Sequence, residues 1–139
     1  MESRREGNNV FVKLSDGDDL FPSLEAAVRQ HGLESGVVAW GIGMLRDFEL
    51  GFFGPHGYEK TTFSDRHELL ALHGSIALGS EPRFHLHVAL GRPDHVAIGG
   101  HLFGAKTAVV NEIHMTRFEG IRFGRRLNET TGLRELVFE

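Results

Sequence analysis

The sequence predicts an α+β fold in which one principal helix packs on a mainly antiparallel β-sheet. Residues 15–32 repeat their apolar side chains at helical spacing. From Val37 onward, runs rich in β-branched and aromatic residues are interrupted by glycines, which is typical of strands joined by short connections. A parallel sheet needs crossover helices between its strands, and this region offers none. The pattern therefore favours antiparallel pairing.

The segment SDGDDLFPSLEAAVRQHG, residues 15–32, predicts the helix. One face collects the residues at helical spacing, namely Leu20, Leu24, Ala27, Val28 and His31. Acidic residues at 16, 18 and 19 suit the positive end of the helix dipole. Pro22 fits the first turn, where its missing N–H is harmless, and Gly32 suits the C-terminal stop.

Eight β-rich segments predict the strands. They are VFVKL (10–14), VVAWGIG (37–43), MLRDFELGFF (44–53), YEKTTF (58–63), ELLALHGSIAL (68–78), FHLHVAL (84–90), HVAIGGHLF (95–103) and KTAVVNEIHMTRF (106–118). Turn residues occur in GPHG at 54–57 and GRPD at 91–94. GIGM at 41–44 lacks the third glycine and the following helix of a dinucleotide-binding loop, so we interpret it as a bulge or bend.

Composition and charge narrow the class of protein. The 139 residues show no internal repeat or linker, so we expect residues 1–139 to form a single domain. The absence of cysteine excludes disulfides and thiolate metal sites. The formal net charge of −4 does not favour a general binder of nucleic acid. No apolar run approaches the roughly 18 residues of a membrane span, and we expect a cytoplasmic protein with no membrane partner.

Two histidines share one face of a predicted strand in the hairpin FHLHVALGRPDHVAIGGHLF at 84–103. Successive side chains of a strand point to opposite faces, so His85 and His87 point together to one side. The apolar residues Phe84, Leu86, Val88 and Leu90 then share the other side. The Cα atoms of the two histidines are about 6.6 Å apart in this arrangement, a gap that two imidazoles can close around one ion.

The position of a third histidine, His101, depends on the length of the hairpin loop. A three-residue loop, either Arg92–Asp94 or Pro93–His95, places His101 opposite His85 or His87 and on their face. A loop of two or four residues would place it on the other face. With the three-residue loop, the hairpin predicts a site for a divalent metal at His85, His87 and His101.

Further side chains are candidates to complete this site. Glu112, in AVVNEIHM, is a candidate ligand or proton acceptor, and His73 is another candidate ligand. Gly99 and Gly100 either make room for an ion and its water or mark a bulge. Nitrogen and oxygen ligands without sulfur fit zinc best, with iron, nickel and manganese as alternatives.

The ordered set of motifs resembles the plant and prokaryote conserved domain, called PPC. The resemblance runs from about Val10 to Met115 through SDGDDLFPSLEAAVRQHG, VVAWGIGMLRDFELGFF, HELLALHGSIAL, FHLHVALGRPD, AIGGHLFG and AVVNEI. Residues 116–139 then form a C-terminal extension, in which GLRELVF is similar to the prokaryotic members.

The resemblance implies a homotrimer of α+β protomers. It also implies that His85, His87 and His101 form a metal site, with zinc as the expected ion. A DNA-binding role is implied as well, because plant members join this domain to AT-hooks. Those hooks centre on Arg-Gly-Arg-Pro, which this sequence lacks.

Two functional hypotheses follow from these observations. The first is a trimeric metal-binding protein with a regulatory or DNA-binding role. The alternative is a metal-dependent enzyme, of hydrolase or lyase type, that acts on a small molecule at the histidine cluster. Apart from Glu112, no side chain stands out as a general acid or base, so we favour the first hypothesis.

Overall fold

The computed structural model describes all 139 residues and confirms an α+β fold with one helix on a mostly antiparallel sheet. The elements are β1 (Glu2–Glu6), β2 (Asn9–Ser15), α1 (Leu20–Gln30), β3 (Ser35–Gly54), β4 (Gly57–Phe63), β5 (His67–Ala77), β6 (Phe84–Gly91), β7 (Ala97–Arg117), β8 (Phe123–Leu127) and β9 (Arg134–Phe138). The helix is too short to cross a membrane.

The main sheet has seven strands in the order β1-β2-β7-β6-β5-β3-β4. Because β7 also pairs with β3, the four strands β3, β5, β6 and β7 close into a ring. β8 and β9 form a separate two-stranded hairpin. The ring leaves the edges of the sheet to β1, which is largely charged, and to β4, whose residues 59–62 are polar and exposed.

Two strands are much longer than the sequence predicts. The segments 37–43 and 44–53 belong to the single strand β3, and 95–103 and 106–118 belong to β7. Register shifts interrupt the pairing of β3 with β7 at four places, one of them between Gly43 and Leu45, which confirms the bulge expected in GIGM. Each long strand therefore bends without ending.

The helix lies where its apolar spacing indicates. Leu20, Leu24, Ala27 and Val28 are fully buried and join one core cluster with residues of β2 and β7. His31 does not belong to this buried face, since it ends the helix and its Nε2 hydrogen-bonds to Ser3 Oγ at 2.9 Å. Gly32, with φ of +63°, follows in the left-handed conformation that a C-terminal stop favours.

The acidic residues before the helix fit their predicted role only in position, because their side chains make other contacts. The first turn of α1 has no acidic residue, and the N-cap Asp19 makes no side-chain capping hydrogen bond. Asp19 pairs instead with Lys106 at 2.8 Å, and Asp16 accepts a hydrogen bond from the Val109 N–H at 3.0 Å. Asp18, the third of these acidic residues, accepts a hydrogen bond from the Ser15 N–H at 2.9 Å. These carboxylates tie the β2–α1 connection to the sheet rather than to the helix dipole.

The bulge in β3 is held by a buried asparagine. Asn111 on β7 is fully buried, and its Oδ1 accepts a hydrogen bond from the Met44 N–H at 2.8 Å. Its Nδ2 donates to Thr107 Oγ1 at 2.9 Å. Gly43, with φ of +138°, allows β3 to pass close to Asn111, because a Cβ there would overlap the Val110 carbonyl oxygen. The side chain thus replaces a ladder bond that the register shift removes.

We expect Asn111→Ala to lower the free energy of unfolding by about 2 kcal/mol, because it leaves the part-buried Met44 N–H without its hydrogen-bond acceptor. The exposed Asn9 provides the control, since Asn9→Ala should change stability by less than about 0.5 kcal/mol. Urea unfolding followed by circular dichroism measures both. A loss in Asn111→Ala as small as that of the control would contradict this role.

Candidate metal centre

The hairpin formed by β6 and β7 carries the histidine cluster. In β6, Phe84, Leu86, Val88 and Leu90 are buried, whereas His85 is half-buried and His87 exposed. This alternation is the one that the sequence predicts. The apolar face of β6 thus packs into the core and the imidazole face turns outward.

The register of the hairpin brings the third histidine to the same place. His87 lies directly opposite His101 in the β6–β7 pairing. The Arg92 N–H donates to the Val96 carbonyl at 3.0 Å, which leaves Pro93–His95 as the loop. Of the two loops considered, Pro93–His95 is confirmed, and with it the placement of His101 opposite His87.

The three imidazoles converge closely enough to share an ion. One ring nitrogen from each of His85, His87 and His101 lies within 4.8 Å of the other two. The Nε2 atoms of His85 and His87 are 3.1 Å apart. Ligands bonded to a tetrahedral zinc at about 2.1 Å lie about 3.4 Å from one another, so small side-chain rotations suffice to complete three bonds. The donor set fits a divalent metal.

The cluster favours neutral imidazoles, the form that binds metal. Burial lowers the pKa of His101 to about 4, and the neighbouring His85, His87 and Lys60 add to that effect. Burial, then the charge of His87 and then that of Arg125, lowers the pKa of His85. For His87, burial and the charge of His73 lower the pKa in the same way.

Gly99 and Gly100 serve close strand packing rather than space for an ion. A Cβ on Gly99 would overlap the Val88 carbonyl oxygen of β6, and one on Gly100 would lie 2.8 Å from the Gly51 carbonyl oxygen of β3. The β6–β7 pairing continues through both glycines without a register shift. They let β7 pass close to its two neighbours immediately before His101.

The two additional candidates have different positions. Glu112 is an exposed residue of β7 that pairs with Lys13 and Ile42, eleven residues beyond His101, and it lines a different cavity. His73 lies opposite His87 on β5 and is exposed. The cluster whose nitrogens converge contains neither residue. The structure therefore separates Glu112 from the histidine cluster, whereas His73 lies next to the cluster without belonging to it.

Side chains that the sequence analysis missed surround His101. Tyr58 Oη lies 3.3 Å from His101 Nδ1, and the ring centroid of Phe103 lies 4.4 Å from that of His101. Lys60 Nζ lies 3.8 Å from the centroid of the Phe103 ring. Tyr58 and Lys60 come from β4, whose segment YEKTTF shows only strand alternation. The turn residues GPHG at 54–57 indicate the pairing of β4 with β3. What brings β4 close to His101 is the pairing of β3 with β7, which the local sequence does not indicate.

A cavity of about 850 Å³ opens beside the cluster. His85 and His101 line it, together with Tyr58 and with Arg125 from β8. The β8–β9 connection and β9 add residues 132–136 to its wall. A ligand in this space would reach the histidines from one side, while the sheet covers the other.

The fold and this site agree with a family assignment. The model of the Plants and Prokaryotes Conserved (PCC) domain, the domain also written PPC, matches residues 1–119. The chain therefore belongs to that family. None of the curated proteins matches the chain at a significant level.

Solved structures show the same architecture. A candidate DNA-binding protein from Bacteroides thetaiotaomicron has a TM-score of 0.88 at 29% identity, over 99% of this chain and 96% of that one. A metal-containing protein from Archaeoglobus fulgidus has a TM-score of 0.84 at 26% identity, over 99% of both chains. A plant- and prokaryote-conserved protein from Pyrococcus horikoshii has a TM-score of 0.82 at 25% identity, over 93% and 92%.

Proposed function

We propose that the protein binds one divalent metal ion per chain, zinc, through His85, His87 and His101, within a homotrimer that has a regulatory role. The observation that carries the metal site is the convergence of three ring nitrogens within 4.8 Å of one another. The similar protein from Archaeoglobus fulgidus, which contains metal, supports it. Three nitrogen ligands leave a fourth position open on a tetrahedral zinc.

We expect tag-free protein to hold about one zinc ion per chain, and His85→Ala combined with His101→Ala to lose it, because a single imidazole holds zinc weakly. Elemental analysis after exhaustive dialysis measures the metal content. The control is His56→Ala with His95→Asn, which removes two exposed histidines outside the cluster. Asparagine suits position 95, where φ is +65°.

The control protein should keep its metal. Zinc retained by the protein that lacks His85 and His101 would refute the site. So would zinc lost equally from both proteins, because that result would locate the metal elsewhere.

The proposed trimer is supported by an apolar surface on the side of the sheet away from α1. Phe11, Trp40 and Ile42 are 46%, 41% and 47% exposed. Phe11 stacks on His114 with centroids 4.7 Å apart, and Trp40 lies 5.8 Å from the same ring. Monomeric proteins rarely expose contiguous apolar patches of this kind. A second copy of the chain would cover the patch.

We expect light scattering coupled to gel filtration to give the mass of three chains for the wild type. Ile42→Glu should shift the protein to the monomer, because a buried, unpaired carboxylate disfavours the interface. Val96→Glu places the same charge on an exposed loop residue and should leave the trimer intact. A wild-type monomer, or equal masses for the two variants, would contradict this surface as the interface.

DNA binding has weaker support from this chain. The protein from Bacteroides thetaiotaomicron is a candidate DNA-binding protein, but here the formal net charge is −4. Many of the arginines pair with acidic neighbours, among them Arg46 with Asp47 and Arg83 with Glu81, at 2.7 Å each. Binding to phosphates depends on cations that are free to replace counterions. We therefore place regulation through the metal site ahead of DNA binding.

Metal-dependent catalysis is the second candidate, and the cavity beside the cluster favours it. When bound, zinc with an open position lowers the pKa of a coordinated water to about 7. Glu112 lies too far along β7 to accept a proton at the cluster, which corrects its predicted role. The hydroxyl of Tyr58, 3.3 Å from His101 Nδ1, is the group placed to orient a ligand.

We expect any turnover of ester, phosphoester or lyase substrates to require zinc and to fall at least about tenfold in Tyr58→Phe, which keeps the ring but removes the hydroxyl. Comparing metal-free and zinc-loaded protein in one substrate screen measures this. The zinc content of Tyr58→Phe should match that of the wild type. Turnover that is unchanged by removing the metal would exclude this candidate.

A further inference from the structure

One cation of the cavity beside the histidines comes from the C-terminal hairpin. Arg125, on β8, is half-buried and extends toward β5. Its Nη2 donates to Ser75 Oγ at 2.9 Å and to the Ser75 carbonyl at 3.4 Å, and its Nε donates to the Pro82 carbonyl at 3.3 Å. These bonds fix the plane of the guanidinium and leave Nη1 without a protein partner.

The charge of Arg125 is not neutralised within the protein. All its hydrogen bonds go to carbonyl or hydroxyl oxygens, and no carboxylate lies within ion-pair distance of it. Two carboxylates of the cavity wall, Glu25 and Glu81, already pair with Arg83, at 3.7 and 2.7 Å. A third, Glu135, accepts from Asn128 and Thr131.

Burial lowers the pKa of Arg125 from its ordinary value. The guanidinium remains charged at neutral pH all the same. A half-buried cation of this kind, with open donors facing a cavity, is a site for an anion.

The guanidinium stands next to the proposed metal ligands. Ser75, which holds Arg125, is directly opposite His85 in the β5–β6 pairing. Opposite residues of antiparallel strands have Cα atoms about 4.5–5.5 Å apart. The positive charge of Arg125 contributes to lowering the pKa of His85. Arg125, His85 and His101 also line the same cavity.

The rest of the cavity wall indicates what the anion would carry. Apolar side chains line it from four parts of the fold, namely Phe21, Phe84, Phe103, Leu133 and Leu136. Phe103 stands beside His101, and Phe84 precedes His85. A small inorganic ion would leave these surfaces in water, whereas an organic anion with an aromatic or branched body would cover them.

We propose that the cavity binds a small organic oxyanion, a carboxylate or phosphate ester, whose acidic group pairs with Nη1 of Arg125 and whose apolar body packs against Phe84 and Phe103. Its acidic group also faces the metal position, so the proposal rests on the proposed function for that contact. The C-terminal hairpin is thereby part of the binding site. It lies beyond residues 1–119, which the family model matches.

Calorimetric titration of the zinc-loaded protein with phenyl phosphate, benzoate and inorganic phosphate tests this. We expect an aromatic anion to bind at least about tenfold more tightly than inorganic phosphate, because only it covers the apolar wall. Phenyl phosphate against benzoate distinguishes the two acidic groups. No binding of either aromatic anion, or equal binding of inorganic phosphate, would overturn the proposal.

The variants locate the acidic group. Arg125→Gln should weaken binding at least about tenfold with unchanged zinc content, because it removes the charge-assisted hydrogen bonding from Nη1. Arg126→Gln changes the next residue of β8, which is exposed, and should bind as the wild type does. Equal affinity in the two variants would overturn the role of Arg125. If Arg125→Gln does not fold, Arg125→Met replaces it, since it also removes the charge, and wild-type affinity in that variant would overturn the role equally.

The metal proposal and the anion proposal can be refuted separately. Zinc binding without any effect of Arg125→Gln on the anions would leave the metal proposal intact and refute this one. Anion binding that depends on Arg125 in protein that takes up no zinc would refute the metal proposal and support this one.

Discussion

The pairing of β3 with β7 is the constraint on which the rest of the structure depends. These two strands, of 20 and 21 residues, enclose β5 and β6 between them. A ring of only four strands can close if its long strands bend and approach one another closely. Bulges and glycines allow both. Asn111 at the GIGM bulge and the glycines before His101 meet that requirement. The position of the histidine hairpin on this ring follows from it.

The fold class could be predicted from sequence because its evidence is local. Helical spacing in residues 20–30 and strand alternation in β6 each report the burial of the element's own side chains. The closure of the ring could not be predicted, because it depends on pairing between distant segments, and such pairing leaves no periodic signal in the sequence. β1 was missed for a related reason: ESRRE is a charged edge strand with little apolar alternation, and it forms because β2 offers a free edge.

The candidate site could likewise be predicted only in part from the sequence. Its three histidines belong to one hairpin, so alternation placed His85 and His87 on one face and reduced the position of His101 to the length of the loop. Tyr58 and Arg125 reach the cluster through β4 and through the C-terminal hairpin, and sequence distance hides both. Glu112 shows the opposite error. It is a residue of suitable chemistry in the same long strand as His101, yet eleven residues carry it to another surface.

The origin of the cavity walls from separate segments has an evolutionary consequence. The imidazoles stand on the sheet, whereas β8 and β9 pair only with each other and form their own small sheet. Substitutions in that hairpin can accumulate without disturbing the long strands, because few core residues depend on it. Related proteins can thus retain the histidine cluster on the sheet while the hairpin beside it changes. Among related proteins, we expect the sequence to vary more after residue 119 and to stay more constant before it.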